Sequence, residues 1–421
     1  MVQRISFAIL LFTAGPAAAL LGTLEKKVLG CITDNSTAGS YSKLDAISPR
    51  FLLYDEPSDE PMYTIYWDRV GGPEPLRVRR MLSSVAKLVV VIHGFKETSD
   101  SGWMQEMARL RTSEDGTSVM LVDWREGARM KKAISLVRDY TLAASYVPML
   151  GFALASLVRR LMITNRIHPD RVECVGFSLG AQIGGYFTKY LMEHKLKISK
   201  TTAGYIPLLP ALDAAAPIFV NQGIMPSKKN VRFLEVVHTS ASDGSLSNDA
   251  EGRLGIDKNF GHVDFYPNGG RQQPGCSECQ CLHIFPHRIV FCWSRDDDHL
   301  KSCTVFAAAE SGNGALMNLL LQGVFTICHH RRAHELYLEA LRKNSCRFRG
   351  YRCDSYKKAL RGDCDPRISP RFYIGMPFNR CKLGTACIFN VPTSSKPPYC
   401  YSLSSAQPSL NDRHADQRNR L

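Results

Sequence analysis

The chain has 421 residues, of which 44% are hydrophobic and 22% are charged, and its formal net charge is +14 at pH 7. This composition is that of a globular chain with one large domain and an extra module. The positive charge favours anionic partners such as sulfated glycans or acidic lipid, although most of the charges are interpreted as a solvated basic face. Nucleic acid is excluded as a partner because no groove-reading helix, zinc finger or aromatic RNA-binding motif accompanies the charge.

The N-terminal residues 1–19 predict a secretory signal peptide. Arg4 supplies a positive start, an apolar stretch follows, and three alanines form a small-residue cleavage site. The 14 cysteines and a glycosylation sequon at Asn35 also predict a secreted, extracellular protein. Only Cys31 and Cys174 precede residue 276, which predicts a self-sufficient first half and a second half held by disulfides.

Further along the chain, strand-like and helix-like segments alternate. Continuous apolar runs predict buried strands at 87–94, 118–124, 171–176, 203–213 and 232–239. Segments of helical length lie between these runs, at 141–163 and 181–195. The alternation predicts an α/β fold with a mostly parallel sheet and helices on both faces.

Two segments need a separate interpretation. The stretch 141–158 has no charge over 18 residues and is long enough to span a membrane. Pro148 and Gly151 interrupt it, and it lies between two predicted strands, so a buried core helix is the preferred interpretation. The polar C-terminal residues 401–421 predict a disordered tail.

The segment Gly176-Phe177-Ser178-Leu179-Gly180 lies at a predicted strand-to-helix junction. A G-x-S-x-G turn in this context presents its serine at the end of the sheet, beside a helix N-terminus, and its glycines avoid clashes with the neighbouring backbone. Ser178 is therefore the candidate nucleophile. The alternative is a tight structural turn with an idle serine.

A serine nucleophile needs a histidine base, a carboxylate that orients the base, and two N–H donors for the oxyanion. The acid is expected at the end of a strand after Ser178, and Asp213 follows an apolar run and precedes small residues. Asp243 and Asp264 are later carboxylates with structural interpretations. The expected N–H donors belong to Leu179, which follows the serine, and to Phe95, which follows His-Gly at the end of an early strand.

Several motifs resemble the pancreatic-type lipase family over roughly residues 47 to 400. In chain order they are LVVVIHGF, LVDW, GFSLGAQ, LDAAAP, VVHT and GHVDFYPNGGRQQPGC. The family includes secreted triacylglycerol lipases and arthropod A1 phospholipases. The resemblance implies an α/β-hydrolase fold, a lid insertion, and cofactor-free hydrolysis of lipid esters at a lipid–water interface or at a lipoprotein or membrane surface.

The sequence departs from the family pattern at three places. Gln182 stands where the family usually has histidine, and Ala214 and Ala216 stand where it usually has Pro and Glu. The basic segment 220–233 lacks the acidic residues that hold calcium in the pancreatic enzymes, so we predict no metal site. None of these changes removes a catalytic group.

Two histidines compete for the role of the base. Near its catalytic histidine the family shows Cys-x-His-x-Arg, then a small residue and an amphipathic helix, and the segment 328–333 with the helix-like residues after it matches every element. His330 is therefore preferred over His299, which lies beside three aspartates and lacks the cysteine. With His330 facing the serine, the neighbouring His329 is expected to be exposed.

The resemblance also implies disulfides and a domain plan. It pairs Cys276 with Cys328 around a lid, and Cys353 with Cys364. Residues 20–345 form the hydrolase domain with the lid and insertion at 276–328, residues 346–400 form its disulfide-rich C-terminal part, and too few residues follow for the family's C-terminal β-sandwich.

The residues 281–311 match no family element and are either a genuine insertion or a result of how the gene was translated. Cysteines and histidines in and just before this segment could also ligate zinc, but their spacing suits tetrahedral ligation only loosely. Disulfides are the preferred interpretation of these cysteines. The zinc candidates are Cys276, Cys279, Cys281, His283, His287 and Cys292.

The predicted function is that of a secreted triacylglycerol lipase. The long lid and the 21 residues of 240–260 favour it over an A1 phospholipase, whose lid and loop are short. A third possibility belongs to another class: a yolk-protein-like lipid-binding protein with little activity. The intact Ser178, Asp213 and Cys-x-His-x-Arg segment argue against it.

Overall fold

The computed structural model describes most of the chain from residue 41 onward. The described ranges are 41–70, 72–129, 136–165, 167–193, 206–220, 225–242, 254–276, 279–284, 289–294, 302–307, 314–342, 347–364, 374 and 387–401. Several predictions concern residues outside these ranges, namely the signal peptide 1–19, Asn35, Asp243, His287, His299 and the tail 402–421. The chain forms two compact units, Met1–Leu234 with Ser245–Asn248, and Glu235–Gly244 with Asp249–Leu421.

The first unit alternates strands with helices. Its strands are β1 Arg50–Tyr54, β2 Tyr63–Tyr66, β3 Lys87–Ile92, β4 Thr117–Asp123, β5 Val172–Phe177 and β6 Ile206–Leu212. Its α-helices are α1 Tyr41–Ile47, α2 Leu76–Ser84, α3 Gly102–Thr112, α4 Arg125–Ala128, α5 Leu136–Asn165 and α6 Leu179–Glu193. Short 3₁₀ turns lie at Trp67–Arg69, Pro169–Arg171 and Lys228–Asn230.

The strands of the first unit are ordered β6-β5-β3-β4-β1-β2. The four consecutive strands from β6 to β4 are parallel, whereas β1 is antiparallel to both of its neighbours. Strands β3 and β4 are buried almost throughout, as their continuous apolar sequences predict. The register aligns Ile92 with Gly176 and Gly176 with Ala211, so β3, β5 and β6 end together at one edge.

Helix α5 contains the uncharged stretch. From Arg138 to Asn165 it is, among the described residues, the one helix long and apolar enough to cross a membrane, but 78% of its apolar window is buried inside the protein. It packs against α6 and carries Pro148 in its interior. This burial agrees with the predicted core helix.

The division between the two units falls within β7, Val231–Val237. The second unit contains β8 Ala241–Ser242, β9 Gly255–Ile256, β10 Val263–Pro267, β11 Cys279–Ile284, β12 Ile289–Ser294, β13 Ser302–Ala307, α7 Gly314–Leu341, β14 Tyr351–Cys353, α8 Tyr356–Arg361 and β15 Cys387–Val391. Within this unit β10 runs parallel to the end of β7 and to β15, and β14 adds antiparallel to β15. Strands β11, β12 and β13 form a separate antiparallel sheet.

The five predicted strands and both predicted helices are present. The sequence did not predict β1 and β2, which lie at one end of the sheet, or the strands β8, β9 and β11 to β15. Strands β1 and β2 have five and four residues, and such short antiparallel strands lack the long apolar run that marks a buried parallel strand.

Candidate active site

Ser178 lies between the last residue of β5 and the first residue of α6. Its φ is +57°, a left-handed conformation that a serine seldom adopts. The chain holds this conformation on both sides, because the Ser178 N–H donates to the Leu212 carbonyl at 3.0 Å and its own carbonyl accepts from Ala181 and Ala215. The turn has the strained geometry of a nucleophile elbow.

The two glycines around Ser178 are required by close backbone approach. A Cβ on Gly176 would lie 2.5 Å from the carbonyl oxygen of Gly180, and a Cβ on Gly180 would lie 2.2 Å from the carbonyl oxygen of Ile92. Both distances are far shorter than any real carbon contact, so side chains are excluded at both positions. The pattern therefore reflects the packing of the elbow against β3.

Asp213 directly follows β6 and is fully buried, with a φ of +44°. Because β6 lies beside β5 in register, Asp213 and Ser178 emerge at the same edge of the sheet. The Ala215 N–H donates to the Ser178 carbonyl at 3.2 Å, which joins the two turns directly. The small residues 214–216 that follow Asp213 are buried as well.

The loop after β3, residues 93–97, is packed against the elbow. A Cβ on Gly94 would lie 2.9 Å from the Ser178 Cβ, so only glycine fits without a shift. Among the described residues, the backbone N–H of Phe95 has no hydrogen-bond acceptor, and neither has that of Leu179 at the start of α6. Each is available as a donor to a developing negative charge, and the N-terminal end of a helix favours such a charge.

The side chains of His93 and Trp124 fix the start of this loop. The Trp124 N–H donates to His93 Nε2 at 3.1 Å, so the ring proton is on Nδ1 and donates to the Gly94 carbonyl at 2.9 Å. The indole N–H of Trp124 donates to the His93 carbonyl at 2.9 Å. His93 thus has a structural role at the start of this loop.

A buried charge cluster supports the same region. Burial acts to raise the pKa of Asp123, but the guanidinium groups of Arg125 and Arg50 outweigh it and lower that pKa. The Ser99 hydroxyl also donates to this carboxylate at 2.9 Å. Asp123 therefore remains ionised as the anchor of the loop between β4 and α4.

The second unit holds His330, which is buried on helix α7. Its Nδ1 lies 3.3 Å from the Ser240 hydroxyl oxygen, and its carbonyl accepts from the Thr239 hydroxyl at 3.4 Å. Ser240 in turn accepts from the N–H groups of Leu254 and Gly255. The sequence did not predict this contact between Ser240 and the imidazole.

The prediction that His329 is exposed is wrong. His329 is buried, and its Nδ1 accepts a hydrogen bond of 2.8 Å from the Gln273 backbone N–H. This acceptor role draws the ring into the protein instead of toward solvent. One helical turn beyond His330, burial and the charges of Arg331 and His330 lower the pKa of the enclosed His334 well below its usual value.

Two disulfides in the second unit have the pairing that the resemblance implies. Cys276 is bonded to Cys328 at a Cα–Cα distance of 5.6 Å, and Cys353 is bonded to Cys364. Since its thiol is in a disulfide, Cys276 is removed from the zinc alternative. The described residues contain no group of three or more possible metal ligands, and the side chains of the other zinc candidates lie outside the description.

Asp264 has the structural role that the sequence suggested. Its carboxylate accepts from His238 Nε2 at 3.0 Å and from the N–H groups of Phe260 and Gly261. The His238 ring stacks on Tyr266 with their centroids 4.3 Å apart. The hydrogen bond between His238 and Asp264 thus links the end of β7 to β10.

Comparison with known proteins adds independent findings. The family model described as Lipase matches residues 25–309. The rat "Pancreatic lipase-related protein 2" is 25% identical over 352 residues, covering 80% of this chain and 63% of that protein. The guinea pig "Pancreatic triacylglycerol lipase" is 24% identical, with coverages of 80% and 63%, and "Lipase member H-A" of Xenopus laevis is 28% identical, with coverages of 75% and 53%.

The chain spans about three fifths of the length of the pancreatic relatives that it matches, 61% to 63% for the first three. Among solved structures, a Thermogutta terrifontis esterase aligns over 47% of this chain and 69% of its own chain, with 13% identity and a TM-score of 0.25.

Proposed function

Because the chain belongs to the lipase family, we propose that it hydrolyses carboxylic esters of lipids. Family membership confirms the predicted family and, with the mostly parallel strands, the predicted α/β-hydrolase fold. The observation that carries the proposed activity is the strained elbow at Ser178 with two uncommitted backbone amides, those of Phe95 and Leu179, beside it. An idle structural serine would not require that combination.

In the proposed mechanism Ser178 attacks the ester carbonyl while His330 takes the hydroxyl proton. Asp213 orients the imidazole and stabilises its charged form. The negative charge on the carbonyl oxygen is held by the Phe95 and Leu179 N–H groups, each of which contributes about 10²–10³-fold to the rate if it behaves as in known oxyanion holes. His330 then protonates the leaving alcohol, and a water activated by His330 releases the fatty acid from Ser178. The reaction uses side chains and backbone amides and needs no cofactor.

Triacylglycerol is the proposed substrate, with phospholipid as the alternative. The length of the 276–328 segment and of the 240–260 loop supports triacylglycerol, because short segments at both places are typical of A1 phospholipases in the family. The guinea pig relative is named a triacylglycerol lipase, whereas the names of the rat and Xenopus relatives specify no substrate.

The proposed place of action is extracellular, at a lipid–water interface or at a lipoprotein or membrane surface. The signal-like residues 1–19 and the disulfides support secretion. The net charge of +14 supports attraction to anionic surfaces, including sulfated glycans.

The direct test measures fatty-acid release by the purified chain after removal of residues 1–19. Emulsified triolein and phosphatidylcholine are the two substrates, and Ser178→Ala is the blank. Release from triolein that disappears in the variant is expected, and preference for phosphatidylcholine would replace the triacylglycerol assignment. A folded sample without release from either lipid would contradict the enzyme proposal.

Two further measurements separate the remaining alternatives. A fluorophosphonate probe should label the chain at Ser178 and should fail to label Ser178→Ala, whereas a binding protein without a working nucleophile stays unlabelled in both. His330→Ala is expected to lower kcat by about 10⁴-fold or more, as removal of a triad member does, while His299→Ala has little effect. The reverse order would assign the base to His299.

A further inference from the structure

We propose that Glu97 is a positioning residue that holds the oxyanion loop, residues 93–97, in its working conformation before substrate arrives. This role rests on the proposed function, since it concerns the donor assigned to Phe95. The carboxylate does not touch the reacting atoms. It acts through the backbone of Gly94 and through the indole of Trp103.

Both oxygens of the Glu97 carboxylate accept a hydrogen bond. Oε2 accepts from the Gly94 backbone N–H at 2.9 Å, and Oε1 accepts from the Trp103 indole N–H at 3.0 Å. Each donor is neutral and the acceptor is charged, which makes these bonds stronger than neutral pairs. A glutamine at this position would accept only one of the two, because its NH₂ group would face the other N–H donor.

The bridge made by Glu97 ties the loop to the nucleophile. Trp103 is buried, and its ring meets that of Phe177, the residue before Ser178, edge-on with the centroids 5.8 Å apart. Gly94 itself lies against Ser178 so closely that an added Cβ would be 2.9 Å from the serine Cβ. The loop therefore contacts the elbow directly through Gly94 and indirectly through Glu97 and Trp103.

Within the loop, the backbone groups on either side of the Phe95 N–H already have partners. The His93 carbonyl accepts from Trp124, the Gly94 carbonyl accepts from the His93 ring, and the Lys96 N–H donates to Ala128 at 2.7 Å. The Gly94 N–H is committed to Glu97 and the Lys96 N–H to Ala128, so neither amide beside Phe95 competes with it for an oxyanion. An arrangement set before binding needs no reorganisation during the reaction, which is the condition under which such donors are most effective.

The test uses Glu97→Gln and a soluble ester, p-nitrophenyl butyrate, so that lipid binding does not enter. We expect kcat to fall about tenfold to a hundredfold, less than for loss of a donor, because the Phe95 N–H is misplaced and not removed. KM should stay within about twofold, and affinity for a trifluoromethyl ketone, whose adduct carries the oxyanion, should fall by the same factor as kcat. Glu106→Gln, which removes a half-buried carboxylate paired with Arg109 on α3, is the matched control.

Two other variants separate positioning from general stability. Glu97→Asp keeps the charge and should recover part of the lost kcat, but not all of it, because the shorter side chain reaches less far. Trp103→Phe removes the second donor, and its effect should add little to that of Glu97→Gln in the double variant, because both act through one bridge. A role limited to stability would instead lower the unfolding midpoint and leave kcat and inhibitor affinity of the folded protein unchanged.

The outcomes are separable from those of the proposed function. If the wild-type chain hydrolyses the ester and Ser178→Ala does not, then a Glu97→Gln variant with wild-type kcat overturns the role of Glu97 alone. Should that variant fail to fold, a Glu97→Asp variant with wild-type kcat and inhibitor affinity overturns the role equally. A wild-type chain that hydrolyses no ester overturns both proposals.

Discussion

The side-chain amide of Gln182 donates a hydrogen bond of 2.7 Å to the backbone carbonyl of Ala215. Gln182 is buried in the first turn of α6, directly behind Ser178, and Ala215 lies two residues after Asp213. The Ala215 N–H also donates to the Ser178 carbonyl. The N–H and the carbonyl of Ala215 therefore both bond the turn after Asp213 to the elbow and its helix. The position where the family usually has histidine is thus filled by another hydrogen-bond donor.

Replacing Gln182 by leucine should destabilise the first unit by about 1–3 kcal/mol, because a buried carbonyl loses its partner. It should also lower kcat, because the turn after Asp213 loses one of the two hydrogen bonds that Ala215 makes to the elbow and its helix. Urea unfolding and ester hydrolysis measure the two effects. Gln182→His supplies a ring N–H in place of the amide donor and should lose less stability and less kcat than Gln182→Leu. Equal losses in the two variants would contradict the donor role.

Replacing Gly94 by alanine should lower kcat at least tenfold, because the added Cβ meets the Ser178 Cβ at 2.9 Å and forces the loop away from the elbow. Gly102→Ala is the control. An added Cβ there, at the start of α3, meets nothing within 4 Å, so stability should be unchanged or higher by up to about 1 kcal/mol, with normal kcat. Similar kinetics for the two variants would argue against the close packing of loop and elbow.

Opening the two disulfides should have unequal consequences. The Cys276–Cys328 bond spans 52 residues and the Cys353–Cys364 bond spans 11, so chain-entropy estimates for their loss are about 4 and about 3 kcal/mol. Cys328 is also two residues before His330, and Cys276→Ser with Cys328→Ser should lower kcat as well as the unfolding midpoint. The Cys353→Ser and Cys364→Ser pair should lower the midpoint alone. A normal kcat in the variant without the Cys276–Cys328 bond would show that this disulfide does not orient His330.

Acid should destabilise the chain in part through His334. Its pKa is lowered in the folded protein, chiefly by burial, whereas in the unfolded chain it is about 6.5. Below about pH 6.5 the unfolded chain therefore binds a proton that the folded chain does not, and stability falls by up to about 1.4 kcal/mol per pH unit.

Urea midpoints between pH 5 and pH 8 test this prediction through the slope against pH. His334→Leu should flatten the slope below about pH 6.5, whatever its effect at pH 8. An unchanged slope in His334→Leu would assign the acid sensitivity to other groups.

Local patterns were sufficient to predict much of the first unit. The apolar runs identified β3 to β7 because strands buried on both faces leave no polar positions. The glycines around Ser178 marked the elbow because a side chain at either position would clash with backbone atoms a few residues away or on the neighbouring strand β3. The apolar run before Asp213 placed that residue at the end of β6 for the same local reason.

The sequence by itself therefore determined the strand-and-helix alternation, the elbow and the place of Asp213 after β6, and it predicted His330 as the base. Only the tertiary structure decided which side chains position them. Ser240 meets His330 across 90 residues of sequence, Glu97 joins Gly94 to a buried indole, and His329 turns inward to accept an N–H from Gln273. Spacing along a chain predicts faces and turns, whereas a hydrogen bond between distant segments depends on where packing places its donor and its acceptor.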